Sequence, residues 1–141
     1  VNDEVVVRGP FGTFVLDDGS MRPVLLLSAG PGFGPIKSLL QHALSLEHAA
    51  QITLHRFADD EGLYQENLLR SYAAALDHFR YVAHAEGVDR DLAIEDILGV
   101  MPGITGHDIY AAGDAAFVAS VTECAKVCGL GNQQIRTMVV T

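Results

Sequence analysis

The residues best suited to chemistry lie in one turn, Gly30-Pro31-Gly32-Phe33-Gly34-Pro35. Glycine allows close backbone approach and conformations closed to other residues. Pro35, with its fixed φ, suits the first position of a helix. Ile36, Leu39, Leu40, Ala43 and Leu44 then recur with the spacing of an apolar helical stripe. Ahead of the turn, Val24, Leu25, Leu26 and Leu27 form an uninterrupted apolar run, right for a strand buried on both faces. Strand, glycine turn and helix together aim backbone N–H groups and a positive helix end at one point, where an anion such as a pyrophosphate fits. Such glycine spacings are weak signals, and the same turn occurs in α/β domains that bind nothing.

Other residues could add to such a site. Asp59, Asp60 and Glu61 follow the second predicted strand, where a carboxylate can accept from a ribose hydroxyl and repel a 2′-phosphate. A solvated acidic turn is the plainer reading of the same residues. Arg56 is the one basic group beside them, and Lys37, in the first turn of the helix, could reach a phosphate or stand as a surface lysine. His42, His48, His55, His78, His84 and His107 have no metal-ligand spacing, and Ser28 and Ser38 lack a His/Asp pairing for nucleophilic work. Cys124 and Cys128, four apart on a helical pattern, read as core-facing thiols rather than a disulfide.

The elements that must position these groups alternate along the chain. After the first strand and helix, Gln51–Arg56 reads as a second strand and Phe57–Gly62 as an acidic loop. Leu69, Tyr72, Ala73 and Leu76 stripe a second helix, Phe79–Ala83 forms a third strand and Asp89–Leu98 a third helix. His107-Asp108 leads into the fourth strand, Ile109–Ala112, and is expected to be structural; that strand stops at Gly113-Asp114. Phe117, Val121, Cys124, Ala125 and Cys128 stripe a fourth helix, and Ile135–Val140 closes the chain as a fifth strand. This alternation predicts an α/β fold, a five-stranded parallel sheet flanked by helices. Ligands of such sheets sit at the carboxyl ends of the strands, where strand order reverses. The opening Val5–Arg8 strand, Gly9-Pro10 and the Asp17-Asp18-Gly19-Ser20 turn are expected to belong to the end of a preceding β domain and its linker, residues 1–20, with the α/β domain spanning 21–141.

Composition narrows the partners. The chain has 141 residues, 49% of them hydrophobic, enough for one domain with a real core. No apolar run approaches the ~20 residues of a spanning helix. A net charge of −9 argues against nucleic acid, which needs clustered Lys and Arg. The two cysteines and the missing signal sequence suit a reducing cytoplasm, and a start at Val1 suits a domain excised from something longer.

With these landmarks placed, the chain resembles the C-terminal NAD(P)-binding domain of the ferredoxin–NADP reductase superfamily, notably oxygenase reductase components and CDP-6-deoxy-glucoseen-reductase-like proteins. Gly9-Pro10-Phe11-Gly12 is similar to the family's G-P-[FY]-G at the end of the flavin domain. Arg22-Pro23 before the first strand, then Ala29–Ser38, is similar to the family's G-G-T-G-x-A-P-I-K-S nucleotide loop. Leu63-Tyr64 is similar to the L-Y that opens the second helix, and Gly106–Ala111 leads to the position of C-G-P-P.

The resemblance implies a Rossmann-like domain that passes hydride from NAD(P)H to FAD, with electrons going on to an iron–sulfur or oxygenase partner. It implies a cofactor-binding set of Gly30, Pro31, Gly32, Phe33, Pro35, Asp59, Gly113 and Asp114, with Gly113 beside the nicotinamide. NADH is favoured over NADPH by the carboxylates near Asp59. FAD is expected on an upstream flavin domain, since the family's R-x-Y-[ST] motif is absent here, so the domain is an oxidoreductase inactive alone. Several positions depart from the pattern. Pro31 replaces the loop threonine, Ala112 the cysteine, Asp114 and Ala115 the two prolines, and Phe57-Ala58-Asp59 a G-A-R; Met138–Thr141 replace an aromatic-bearing terminus. These losses support an alternative, a degenerate module with a regulatory or protein-docking role and no turnover.

Overall fold

The structure, a computed structural model, describes residues 14–17, 19–46, 51–58, 65–85 and 89–140. Strands β1 (Val24–Ala29), β2 (Ile52–Ala58), β3 (Phe79–Ala85), β4 (Asp108–Gly113) and β5 (Ile135–Val139) alternate with helices α1 (Phe33–Ser45), α2 (Glu66–Ala75), α3 (Arg90–Val100) and α4 (Ala115–Val127). The strands form one parallel sheet in the order β3-β2-β1-β4-β5. The expected α/β class, a five-stranded parallel sheet flanked by helices, is therefore the architecture found. Order reverses between β1 and β4, whose register runs from Val24 opposite Asp108 to Ser28 opposite Ala112.

Central β1 is apolar in succession because both its faces are covered. Leu26 packs with Ile36 and Leu40 of α1, Leu54 of β2 and Leu69 of α2. Leu25 and Leu27 point the other way, against Ile94 and Leu98 of α3 and Phe117 and Val121 of α4. Burying each such side chain contributes about 1.5–3 kcal/mol, so the apolar run of β1 anchors both layers at once.

Element boundaries differ from the sequence reading where packing overrides local pattern. Phe57 and Ala58, expected in an acidic loop, extend β2, because Phe57 is buried between the rings of His84 and Phe117. β3 runs on to Ala85, in register with Ala58. α1 starts at Phe33 rather than at Pro35, after a 3-10 turn at Gly30–Gly32. α3 starts at Arg90 and continues to Val100, with the Asp89 carboxylate accepting from the Leu92 N–H as its cap. β4 takes in both Asp108 and Gly113, and β5 ends at Val139.

The residues before β1 are fastened to the sheet. Leu16 is buried in the α1-side core, and Phe14 meets the Tyr110 ring edge-on. His107 Nδ1–H donates to the Gly103 carbonyl, and Arg22 Nη1 donates to Asp108 Oδ1 at 3.1 Å, so both residues of that pair hold structure at the amino end of β4. Cys124 and Cys128 are free thiols, partly buried against the α3/α4 core. Burial and the adjoining Cys128 push the Cys124 thiol up to about 11, which keeps it protonated and unreactive. Among the described residues no helix is long and apolar enough to cross a membrane. The Val5–Arg8 strand, Gly9-Pro10-Phe11-Gly12, Asp59, Asp60, Glu61, Leu63-Tyr64 and Thr141 lie outside the described residues.

Candidate functional site

The switch point between β1 and β4 is where the glycine turn lands. Gly30 has φ +53°, a conformation that L side chains rarely adopt. Gly32 lies directly on β4: a Cβ there would stand 2.1 Å from the Ala112 carbonyl oxygen and 2.7 Å from the Gly113 nitrogen. Gly113 is squeezed in turn, its Cβ position 2.7 Å from Phe117 Cδ2 and 3.1 Å from Ala29 Cβ. Gly32 thus lets the turn meet β4 backbone to backbone, and Gly113 leaves room for the Phe117 ring of α4 and for Ala29. Gly34, by contrast, faces open space, and so does Gly30. That arrangement leaves room for a ligand above a tightly packed floor.

The turn offers fewer donors than its glycine content suggests. Pro31 and Pro35 carry no N–H, and the Phe33 N–H is already given to the Gly30 carbonyl. The Gly32 N–H is likewise spent within the 3-10 turn, and Gly32 is buried against β4, so Gly34, in the first turn of α1, remains as a backbone donor beside its positive end. A pyrophosphate fits this geometry, with Gly30 and Gly34 admitting it and the α1 dipole favouring its charge.

Asp114 does not stand as a bare charge. Its side chain caps α4 by accepting from the Phe117 N–H at 2.8 Å. Arg90, the first residue of α3, donates two hydrogen bonds to the same carboxylate, at 2.9 and 3.1 Å. The Arg90 hydrogen bond, with the α4 backbone bonds, holds the Asp114 carboxyl below its ordinary range despite partial burial. The repulsion expected from a carboxylate at this position is offset by a cation that the sequence reading did not single out. Its one signal was an arginine opening the third helix, directly after the Asp89 cap.

Arg56, read as a basic group near the adenosine end, is buried at 1% exposure, its guanidinium 3.7 Å over the Phe33 ring. It braces the turn from below rather than facing solvent. Beside it the Tyr81 hydroxyl donates to Glu66 Oε1 at 2.5 Å, and Glu66 also pairs with Arg70. Burial, then the Glu66 bond, push Tyr81 up to about 12, against an opposing pull from Arg56. Lys37 is partly buried on α1, one turn beyond the glycines. Ser28 is fully buried and its Oγ has no hydrogen-bond partner.

On the opposite face of the sheet, His55 Nδ1 and His84 Nε2 share a hydrogen bond at 2.9 Å, with the Phe57 ring stacked on His84 at 4.4 Å. No group of three metal-ligating side chains occurs among the described residues. The structure therefore brings together Gly30, Pro31, Gly32, Phe33, Pro35, Gly113 and Asp114 at one end of the sheet, with Ala112 beneath Gly32.

No family model matches the chain. Among curated proteins it is 25% identical, over 96% of its length and 40% of the relative's, to the reductase component of propane 2-monooxygenase from Rhodococcus jostii. It is 28% identical, over 91% of its length and 40% of the relative's, to reductase component 2 of terephthalate 1,2-dioxygenase from a Comamonas species. Among solved structures, the Amycolatopsis cytochrome P450 reductase GcoB superposes with a TM-score of 0.75 at 22% identity, over 93% of this chain and 42% of that one. The chain thus spans about two fifths of the length of the relatives it matches. These relatives are the ones that the sequence motifs pointed to.

Proposed function

We propose, for a chain with the fold of the nucleotide-binding domain of the ferredoxin–NADP reductase superfamily and with oxygenase reductase components as relatives, that the turn at 30–34 receives the pyrophosphate of NADH or NADPH. The observation that carries this reading is the contact of Gly32 with the Ala112 carbonyl. It sets an open, donor-bearing turn against the end of β4, where Gly113 would face the nicotinamide. NAD(P)H supplies the hydride, and the FAD that takes it would sit on a flavin domain preceding this one. The roles left to this chain are to grip the phosphates with the Gly34 N–H and the α1 dipole, and to hold the β4–α4 turn in place through Arg90 and Asp114. Electrons would leave through the flavin to an iron–sulfur or oxygenase partner, in the cytoplasm. NADH rather than NADPH is the expected donor, through the carboxylates near Asp59.

Calorimetry of the chain with NADH and with NADPH tests this. Gly34→Asp is the informative variant, because a side chain there meets open space and an acid in the first helical turn suits the α1 dipole. The fold should keep its melting temperature while dinucleotide binding falls at least about tenfold. If neither dinucleotide binds at millimolar concentration, or if Gly34→Asp binds equally well, the turn is not the phosphate site. The two prolines that lack an N–H favour the second reading in that case, a fold retained for docking or regulation without turnover.

A further inference from the structure

A second recess lies at the amino ends of the strands, remote from the glycine turn. It is a groove of about 650 Å³ between α3 and the outer face of β2 and β3, within the size range of small-molecule sites. Val82, Ile97 and Met101 give it apolar walls, and Gln51, Thr53 and Arg80 line its sheet side. Residues 51, 53 and 80 share a face, since Thr53 and Arg80 are register partners.

Two of these polar groups lack a partner of the kind they need. The Gln51 side-chain nitrogen is buried without a hydrogen bond. Leaving such a donor unsatisfied costs about 1–3 kcal/mol. Arg80 is exposed and forms no ion pair or hydrogen bond with any described residue. Asp96 stands on the facing α3 wall, which confines the potential favourable to an anion to the sheet side. An amide donor and a guanidinium over apolar walls match one chemistry, an acceptor-rich anionic head on an apolar body. A dinucleotide does not suit the groove, because no helix N-terminus or glycine turn opens into it.

We propose that this groove binds a small apolar monocarboxylate, its carboxylate on Arg80 and the Gln51 amide and its body between Val82, Ile97 and Met101. Titration of the isotope-labelled chain with 4-isopropylbenzoate, followed by NMR, is the test. Saturable shifts at the amides of Thr53, Val82 and Ile97 are expected, with the 30–36 segment unmoved and NADH binding unaffected. The corresponding neutral amide should bind at least about tenfold more weakly, and Arg80→Gln should lose a similar factor for the acid. Gln51→Leu separates binding from structure: it removes an unpartnered buried amide, so the melting temperature should hold or rise while affinity for the acid falls. Absence of shifts, equal binding of acid and amide, undiminished binding to Arg80→Gln, or shifts centred on the glycine turn would each overturn the proposal. None of these outcomes depends on whether the turn binds a dinucleotide.

Discussion

At the scale of single residues, two neighbouring glycines separate packing from ligand access. Gly32 cannot take a side chain without pushing the turn off the Ala112 carbonyl, 2.1 Å from its Cβ position. Gly32→Ala should therefore destabilise the fold by about 1–3 kcal/mol, as overpacking does, and weaken dinucleotide binding with it. Gly34→Ala meets nothing within 4 Å and sits inside α1, so it should be neutral or stabilising by up to ~1 kcal/mol. Urea midpoints of the two variants check both, and equal losses would mean that the close approach to β4 is unimportant. His55 makes a separate prediction. Burial first, then the charges of His84 and Arg80, lower it from 6.5 to about 4. The folded chain then binds fewer protons than the unfolded one between those values, so stability rises with pH across that window. It should be complete above about pH 6.5, fall progressively below it, and level off near pH 4. The difference is on the order of 3 kcal/mol. Unfolding at a series of pH values should show this slope in the parent and a much flatter one in His55→Gln.

At the scale of elements, the Arg90–Asp114 pair joins the start of α3 to the start of α4, and its two functions can be taken apart. Asp114→Asn keeps a side-chain oxygen to accept from the Phe117 N–H but gives up the ion pair. It should cost only ~0–1 kcal/mol, because the pair is largely exposed. Asp114→Ala loses the cap as well and should cost about 1 kcal/mol more. Thermal unfolding that ranks the two variants equally would deny Asp114 its capping role. Asp114→Pro, toward the family pattern, would remove cap and ion pair together, so Pro31→Thr is the cleaner way to restore a donor to the turn. The elements themselves were legible in the sequence because each has its own apolar period, down to the helical stripe of Ile36, Leu39, Leu40 and Ala43. Their ends were not, where a long-range contact decides. Phe57 is strand rather than loop because His84 and Phe117 receive its ring. The glycine turn was legible by composition. The bracing of Phe33 by buried Arg56 and the pairing of Asp114 with Arg90 were not, since both join residues from separate elements and neither leaves a local pattern.

At the scale of the molecule, one hydroxyl joins the segment before β1 to both β4 and β5, beside the packing of Leu16 and Phe14. Tyr110 of β4 is 1% exposed, and its oxygen accepts from the Asp17 N–H at 2.9 Å and from Arg136 Nη1 of β5 at 3.0 Å. Arg136 also approaches the Asp17 carboxylate, at 3.6 Å, across a partly exposed gap. The chain reaches β1 through this point, so the described residues ahead of β1 are tied to β4 and β5 through Tyr110. Tyr110→Phe keeps the ring against Phe14 and Leu16 but leaves the Asp17 N–H without its acceptor. Asp17 is exposed, so water can take over its N–H, and the loss should cost about 0.5–1.5 kcal/mol. Arg136→Gln removes a partly exposed charge and its bond to the Tyr110 oxygen but leaves the Asp17 N–H its acceptor, and should cost about 0–1 kcal/mol. The variants should also differ in where they loosen. In Tyr110→Phe, limited proteolysis should open the chain ahead of Arg22 before any strand is cut, whereas Arg136→Gln should keep the parent pattern. If Tyr110→Phe melts and cleaves like the parent, packing of Leu16 and Phe14 and the Arg22–Asp108 bond hold the segment, and the hydroxyl has no part in it.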